Sequence, residues 1–467
     1  MKLQLPLLVD KTLETLEQAG YSAYVVGGSV RDILTGKEVK DWDFTTNATP
    51  EEIRKLFPES FYDNIFGTVG VTVEELLNQF SLEQDVMVID GLELSDVFEI
   101  TTFRTESAYS DNRRPDSVSW GKTVEEDLKR RDFTINALAL RQTEKTEEYE
   151  LIDLFGGQKD LQNKLIRAVG DPSERFGEDA LRMLRAVRLA SQLGFVIEEK
   201  TLEAITQKAP SLKHISKERI RDEFLKILAS PFPADGIKML LSTGLLEIFL
   251  PEAVAMVGVE QAGHHTKDVW HHTLDSVAAT PSPDPIVRLA TFLHDIGKPV
   301  AFRKTEGKIT FYGHEVVSGR IAKAVAKRLH LSNRDSERLF ILVRQHMFAY
   351  DPKMTDAAIR RFIRKVGLEN INDMMTLRIG DRVGGGSKQT SWRLRELQKR
   401  IGEVLYTPMQ IKDLKVSGHD VMKILGISGG PMVGKILKEL FDEVMEDASK
   451  NEREYLLERI KEYKDRV

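Results

Sequence analysis

A chain of 467 residues is longer than one hydrophobic core serves and predicts three or four domains. It has no cysteine, which excludes disulfides and thiolate metal sites, and no apolar run of membrane-spanning length; Met1–Gln18 has an amphipathic pattern unlike a signal peptide, so the cytoplasm is the expected location. The formal charge of −6 argues mildly against nucleic acid as a partner, although Lys129–Arg131, Arg360–Lys365 and Arg393–Arg400 are local basic stretches.

In chain order, the first 145 or so residues mix strand and helix signals. Leu7–Ala19 reads as a helix, Tyr24–Val26 as a short strand, Gly27–Gly28–Ser29 as a turn and Arg31–Leu34 as a brief helix, before a second strand that carries Asp41 and Asp43. Strand side chains alternate, so Asp41 and Asp43 are expected on one face, with Trp42 and Phe44 on the other. Pro50–Phe57 reads as a helix, Phe66–Val73 as a strand, and Val97–Arg104 as another strand with Glu99 on the face of Val97 and Thr101. Between them Glu74–Asp96 reads as a local insertion. From Leu161 helical periodicity dominates to the C-terminus, broken at Pro210, Pro231, Pro251, Pro281–Pro285 and Gly384–Gly386. The expected fold class is α+β, a small mixed head on a long helical remainder.

Two adjacent carboxylates repel each other unless a cation lies between them, and hard ions such as Mg2+ take oxygen ligands beside substrate phosphates. The Gly27–Gly28 turn lets backbone N–H groups approach an anion at a helix N-terminus. Together they point to nucleoside triphosphate chemistry.

GGSVRD followed by DWDFTT resembles the signature of the class II tRNA nucleotidyltransferase and bacterial poly(A) polymerase superfamily, and further motifs match in order. The resemblance implies Asp41 and Asp43 as Mg2+ ligands and Glu99 as a third catalytic carboxylate. It implies nucleotide binding by Gly27, Gly28, Ser29 and Arg31. Lys129–Asn136 resembles the RRDFTINA motif, which adds Arg130, Arg131 and Asn136 for phosphate or ribose contacts, with Asp132 capping or orienting. Glu178–Arg188 matches EDxxR and adds Arg185 and Arg188. Its Asp179 and Arg182, three apart on a helix and so neighbours on one face, are similar to the pair that reads the incoming base. A carboxylate accepts from the exocyclic amine of cytosine or adenine and a guanidinium donates to the ring acceptor beside it, whereas uracil and guanine present an acceptor where Asp179 needs a donor. CTP, ATP and a tRNA 3′ end are the implied partners. The segment Thr105–Trp120, with Arg113–Arg114–Pro115, falls where CC-only enzymes lack a loop, which argues against CC-only addition.

Eight of the ten histidines lie between His264 and His346. Imidazoles and carboxylates spread over helices suit an octahedral metal site. The order resembles the HD phosphohydrolase superfamily, which implies His272, His294, Asp295 and Asp381 as metal ligands and His314 and His346 as the extra histidines of two-metal versions; the metal is a divalent ion of unassigned identity. His264, His265 and His271 carry no such argument. Gly429–Lys435 has the glycines and lysine of a P-loop but Ile436 replaces the required Ser or Thr, so it reads as a structural or RNA-contacting junction.

The expected organisation is a catalytic head at 1–145, a helical neck and body at 146–255, an HD domain at 256–390 and a helical tail at 391–467. The expected activity is CCA addition together with an HD phosphohydrolase activity. Its rivals are A-only addition or a poly(A) polymerase, and a phosphohydrolase whose head binds RNA.

Overall fold

The computed structural model describes residues 1–62, 67–83, 91–107, 117–143, 148–261, 267–306, 308–404 and 410–466. They fall into two compact units, Met1–Pro251 and Glu252–Val467. His264, His265 and the Arg113–Pro115 triplet lie outside the described residues, as do Phe66 and part of the expected insertion.

Nine strands precede residue 154 among the described residues: β1 (Ala23–Val26), β2 (Trp42–Thr46), β3 (Phe61–Tyr62), β4 (Thr68–Thr72), β5 (Val97–Thr102), β6 (Arg104–Ser107), β7 (Ser117–Trp120), β8 (Leu138–Gln142) and β9 (Tyr149–Asp153). Seven form one mixed sheet in the order β3-β4-β5-β2-β1-β8-β9, while β6 and β7 pair with each other. Within the large sheet β2 and β5 are parallel and the other neighbours antiparallel. Trp42, Phe44 and Phe98 are buried and stack in tilted pairs beneath the sheet, each contributing about 1.5–3 kcal/mol through burial. That anchor fixes which face the intervening acids take.

Two expectations shift here. Asp41 lies just before β2, which begins at Trp42. The expected strand Val97–Arg104 is interrupted at Phe103, where the chain leaves the sheet and starts the β6–β7 hairpin. The helices obey local rules more closely. Thr49, Thr72 and Thr123 each form a capping box with a glutamate three residues on, starting Pro50–Leu56, Val73–Phe80 and Val124–Lys129. The second of these opens the expected insertion with an ordinary amphipathic helix.

Beyond the sheet, helices Pro172–Glu178 and Leu181–Leu193 are separated by Asp179 in extended backbone, and Leu181–Leu193 packs on Lys217–Ala229.

In the second unit, helix Val269–Ala279 lies directly against Ile371–Gly384. Glycine permits this contact: a Cβ on Gly380 would meet Thr280 Oγ1 at 2.5 Å, and one on Gly384 would collide with Ser276. Asp381 sits between these two glycines and is thereby brought onto the His272 helix. The tail has its own apolar cluster, including Val421, Val433, Ile436, Leu440, Phe441 and Leu456. Gly430 caps helix Pro431–Glu446, and Val433 and Ile436 of the P-loop-like stretch are part of that core, in keeping with a structural junction.

Candidate functional site

The first unit contains a cavity of about 380 Å³ between the sheet and the following helices, with Gly27 and Arg219 the first and last residues in its wall. Gly27 has φ 74°, a conformation that favours glycine, and a Cβ there would lie 2.7 Å from Arg131 Nη1. The turn therefore brings backbone, guanidinium and the Asp43 carboxylate together. Asp43 pairs in register with Glu99 across parallel β2 and β5, and both line the cavity. Burial pushes the Asp43 carboxyl above its ordinary range; Arg131 opposes this and Asp41 adds to it. Asp41 is exposed at the strand entrance and is not among the lining residues.

Ser29 is buried and faces protein. Its hydroxyl donates to the Asp41 carbonyl (2.9 Å) and accepts from the Asp43 amide (3.1 Å). Arg31 forks onto Asp32 and donates through Nη1 to Asn136 Oδ1 at 2.8 Å. Asn136, held in this way, reaches the cavity wall with Gly28, Arg130, Arg131 and Asp132.

The two arginines of the RRDFTIN stretch are held by a residue that sequence reading missed. Asp127, fully buried, receives Arg130 Nη2 at 2.7 Å and Arg131 Nη2 at 3.1 Å. Its spacing of three and four residues, at and just past the end of one helix, was the available signal. Burial pushes the Asp127 carboxyl up, but the two guanidiniums outweigh it and hold it below the usual range. Asp132 receives Arg185 Nε at 2.6 Å, and there too the arginines, Arg185 foremost, outweigh burial.

Asp179 and Arg182 both line the cavity, but not as neighbours on one helix. Asp179 occupies the break between two helices, where Oδ1 accepts the Leu181 N–H (2.9 Å) and Oδ2 receives Arg219 Nη2 (2.7 Å). Hydrogen-bond-accepting side chains at such breaks satisfy the first amides of the next helix. Arg182 contacts Glu178 and donates to the backbone carbonyls of Arg175 (3.2 Å) and Arg130 (3.1 Å). Arg219 joins from a later helix, with no local signal to betray it. Arg188 turns to buried Glu223 at 3.1 Å and is not among the lining residues.

The second unit gathers the histidine set in a cavity of about 770 Å³. His272, His294 and Asp381 form one triad and Asp295, His314 and His346 another, each with ligand atoms within 4.8 Å of one another. Nε2 of His272 lies 3.2 Å from Asp381, that of His294 3.2 Å from Asp295 Oδ2, and that of His314 3.2 Å from Asp295 Oδ1. The opposite ring nitrogens of His294, His314 and His346 face the carbonyls of Thr291, Phe311 and Val343 at 2.6, 2.9 and 2.7 Å. Each Nδ1–H donates there, which turns Nε2 into the cluster. Burial would lower His294, but Asp295 and Asp381 outweigh it and carry it up to about 10. Burial, with His294 adding, pushes His346 down to about 3. Lys298, also unforeseen, lies 2.6 Å from Asp295 Oδ2. His271 is exposed and paired with Asp268 outside both triads.

Comparison with known proteins adds to this geometry. Residues 23–167 match the poly A polymerase head domain, 194–256 a probable RNA and SrmB-binding site of polymerase A, and 320–460 a putative tRNA nucleotidyltransferase domain 2. A CCA-adding enzyme of Levilactobacillus brevis is 50% identical over 233 residues, a match covering 50% of this chain and 53% of the relative, so the chain spans about half the length of that protein. A CCA-adding enzyme of Geobacillus sp. is 33% identical over 449 residues, 96% of this chain and 94% of its own. The crystal structure of Bacillus stearothermophilus CCA-adding enzyme in complex with CTP superposes with a TM-score of 0.70 at 28% identity, covering 100% of both chains.

Proposed function

The chain belongs to the CCA-adding enzyme family of class II tRNA nucleotidyltransferases, and from that premise we propose that it transfers CMP and AMP from CTP and ATP to the 3′ end of tRNA in the cytoplasm. One observation carries the reading: the Asp43–Glu99 register pair and the Asp179–Arg182 pair line the same cavity. Bond-making and base selection thus share one space, as template-free addition requires. On this reading the functions are assigned to a head at 1–145, a neck and body at 146–255, an HD domain at 256–390 and a tail at 391–467.

Asp41, Asp43 and Glu99 would hold Mg2+. The donors are all oxygens, and Asp43 is pushed up by burial and by Asp41, as expected of a group that gains from a cation. Bound there, Mg2+ supplies activation of the attacking 3′-hydroxyl and charge neutralisation at the departing pyrophosphate. Arg130 and Arg131, held from behind by Asp127, position the triphosphate by charge-assisted hydrogen bonds. The Gly27 turn keeps the space beside Arg131 clear for phosphate. Asp179 accepts from the exocyclic amine of C or A and Arg182 donates to the ring acceptor. Arg219 and the Leu181 amide keep the Asp179 carboxylate from rotating.

In the second unit we propose a centre for two divalent ions, one per triad, serving a phosphohydrolase. The inward Nε2 atoms and the mixed imidazole and carboxylate donors fit such ions. The chain's own part is to orient three of the six ligands, His294, His314 and His346, through backbone carbonyls and to set Lys298 beside Asp295.

The deciding experiment gives purified protein three RNAs: tRNA ending before CCA, tRNA ending in CC, and a generic primer. CTP and ATP should extend the first to CCA. Extension of the CC-ended tRNA alone would mean A-only addition, and processive tailing of the primer would mean a poly(A) polymerase.

A further inference from the structure

Tyr312, in the wall of the histidine cavity, has no part in holding a metal. Its side chain is 87% exposed, more than any other exposed large hydrophobic or aromatic side chain among the described residues. A lone exposed aromatic is ordinary on a surface. This one lines the cavity and precedes His314 by two residues, with Gly313 between them at φ 73°. Two residues span at most about 7 Å of chain, so a flat group laid on the Tyr312 ring lies within one nucleotide's reach of the clustered Nε2 atoms.

The wall also carries cations. Lys298 and Arg378 each lie 2.6 Å from a cluster carboxylate. Arg382 donates through Nη2 to the Lys388 carbonyl (3.4 Å), while its Nε is buried with no hydrogen-bond partner. Guanidinium and ammonium groups beside a metal-ligand cluster suit a phosphate ester. An exposed aromatic beside them suits a base, since every base offers a π-face.

We propose that Tyr312 is a base-stacking platform, so that the cavity takes a nucleoside phosphate with its base on the ring and its phosphate toward the cluster. This rests on the phosphohydrolase reading of the same site and adds to it the element that distinguishes nucleotides from other phosphate esters.

The binding test uses 2-aminopurine riboside 2′,3′-cyclic phosphate with metal-free full-length protein, the first unit's cavity being common to all the proteins compared. Wild type should quench the fluorescence. Tyr312→Ala should raise Kd by about five- to 150-fold, the range for removing one stacking aromatic, and Tyr312→Trp should restore it. The kinetic test uses metal-loaded protein. KM for 2′,3′-cyclic CMP should rise by the same range in Tyr312→Ala with kcat little changed, while the cyclic phosphate of a base-free ribose analogue should be hydrolysed equally by both proteins. Absence of quenching by wild type, or equal Kd values for wild type and Tyr312→Ala, would overturn the proposal. Equal KM for cyclic CMP in two active proteins would overturn it while leaving the phosphohydrolase reading intact. Quenching that depends on Tyr312 without any hydrolysis would support stacking and remove the phosphohydrolase.

Discussion

Asp43 and Glu99, 56 positions apart in the chain, are direct partners in the parallel pairing of β2 with β5. Parallel partners present their side chains to the same face, so the sheet itself sets the distance between the two carboxylates. The first prediction follows from that rigidity. Asp41→Ala and Asp43→Ala should each lower both C and A addition by at least a hundredfold, equivalent to about 3 kcal/mol at the transition state, while tRNA binding stays near wild type. Glu99→Gln should show a smaller loss in the same direction. Single-turnover addition with a parallel filter-binding assay checks all three.

Nucleotide choice should depend on Arg219 as well as on the pair expected to read the base. A good bidentate contact is worth about 1–3 kcal/mol, or roughly five- to 150-fold in discrimination. Asp179→Ala should raise misincorporation of UTP by at least that lower factor, because the acceptor opposed to O4 is gone. Arg219→Ala should move selectivity the same way, since Asp179 is freed to rotate. Arg182→Ala should weaken CTP and ATP together. Each triphosphate supplied alone to tRNA lacking CCA gives the measurement, and unchanged selectivity in an active Asp179→Ala protein would place base reading elsewhere.

Acid sensitivity of the first unit should trace to Asp127 and Asp132. Both carboxyls are held below their ordinary range when folded. Their stabilisation is fully present above the unfolded value of about 3.9 and is lost as pH falls from there through the folded values. Asp132→Asn should cost about 1–3 kcal/mol at neutral pH and much less near pH 2. Urea unfolding of the two proteins at several pH values tests this; a constant difference across that window would contradict it.

The two centres should fail independently. His294→Ala combined with Asp295→Ala should abolish divalent-ion uptake by the second unit and any phosphohydrolase activity, with nucleotide addition near normal. Equilibrium dialysis with elemental analysis reads the first and tRNA extension the second. Collapse of addition in a folded double variant would show that the centres are coupled.

What the sequence made legible was local or ordered. The glycine turn, the Asp41–Asp43 spacing, the capping boxes and the succession of histidines all stand in a single strip of letters. The Asp127 pairing was equally local, three and four residues from its arginines, and was passed over because an acid in the first turn of a helix that ends in basic residues looks like an ordinary surface pair. Arg219 was beyond reach, since it meets Asp179 across 40 positions and only the packing of two helices joins them. The Asp179 helix break was misjudged for a related reason: EDALRMLRAVR has unbroken helical propensity, and the extended residue persists because Arg219 and the Leu181 amide hold its carboxylate. Gly384 read as the start of a break in periodicity and Gly380 was not singled out, yet the two serve as the contact that brings Asp381 to His272.

The span of the first cavity, from Gly27 to Arg219, has a bearing on biosynthesis. A ribosome delivers the chain from the N-terminus, so the acids of β2 emerge first, Glu99 follows only after the long crossover that parallel pairing demands, and the guanidinium that steadies Asp179 arrives last. A nascent chain that has passed Asn136 already carries Asp41, Asp43, Glu99 and the arginines held by Asp127, but none of the residues that choose a base. Until nearly half of the polypeptide has been made, it holds the means to join nucleotides without the means to tell them apart, and the order of translation keeps that state confined to the ribosome.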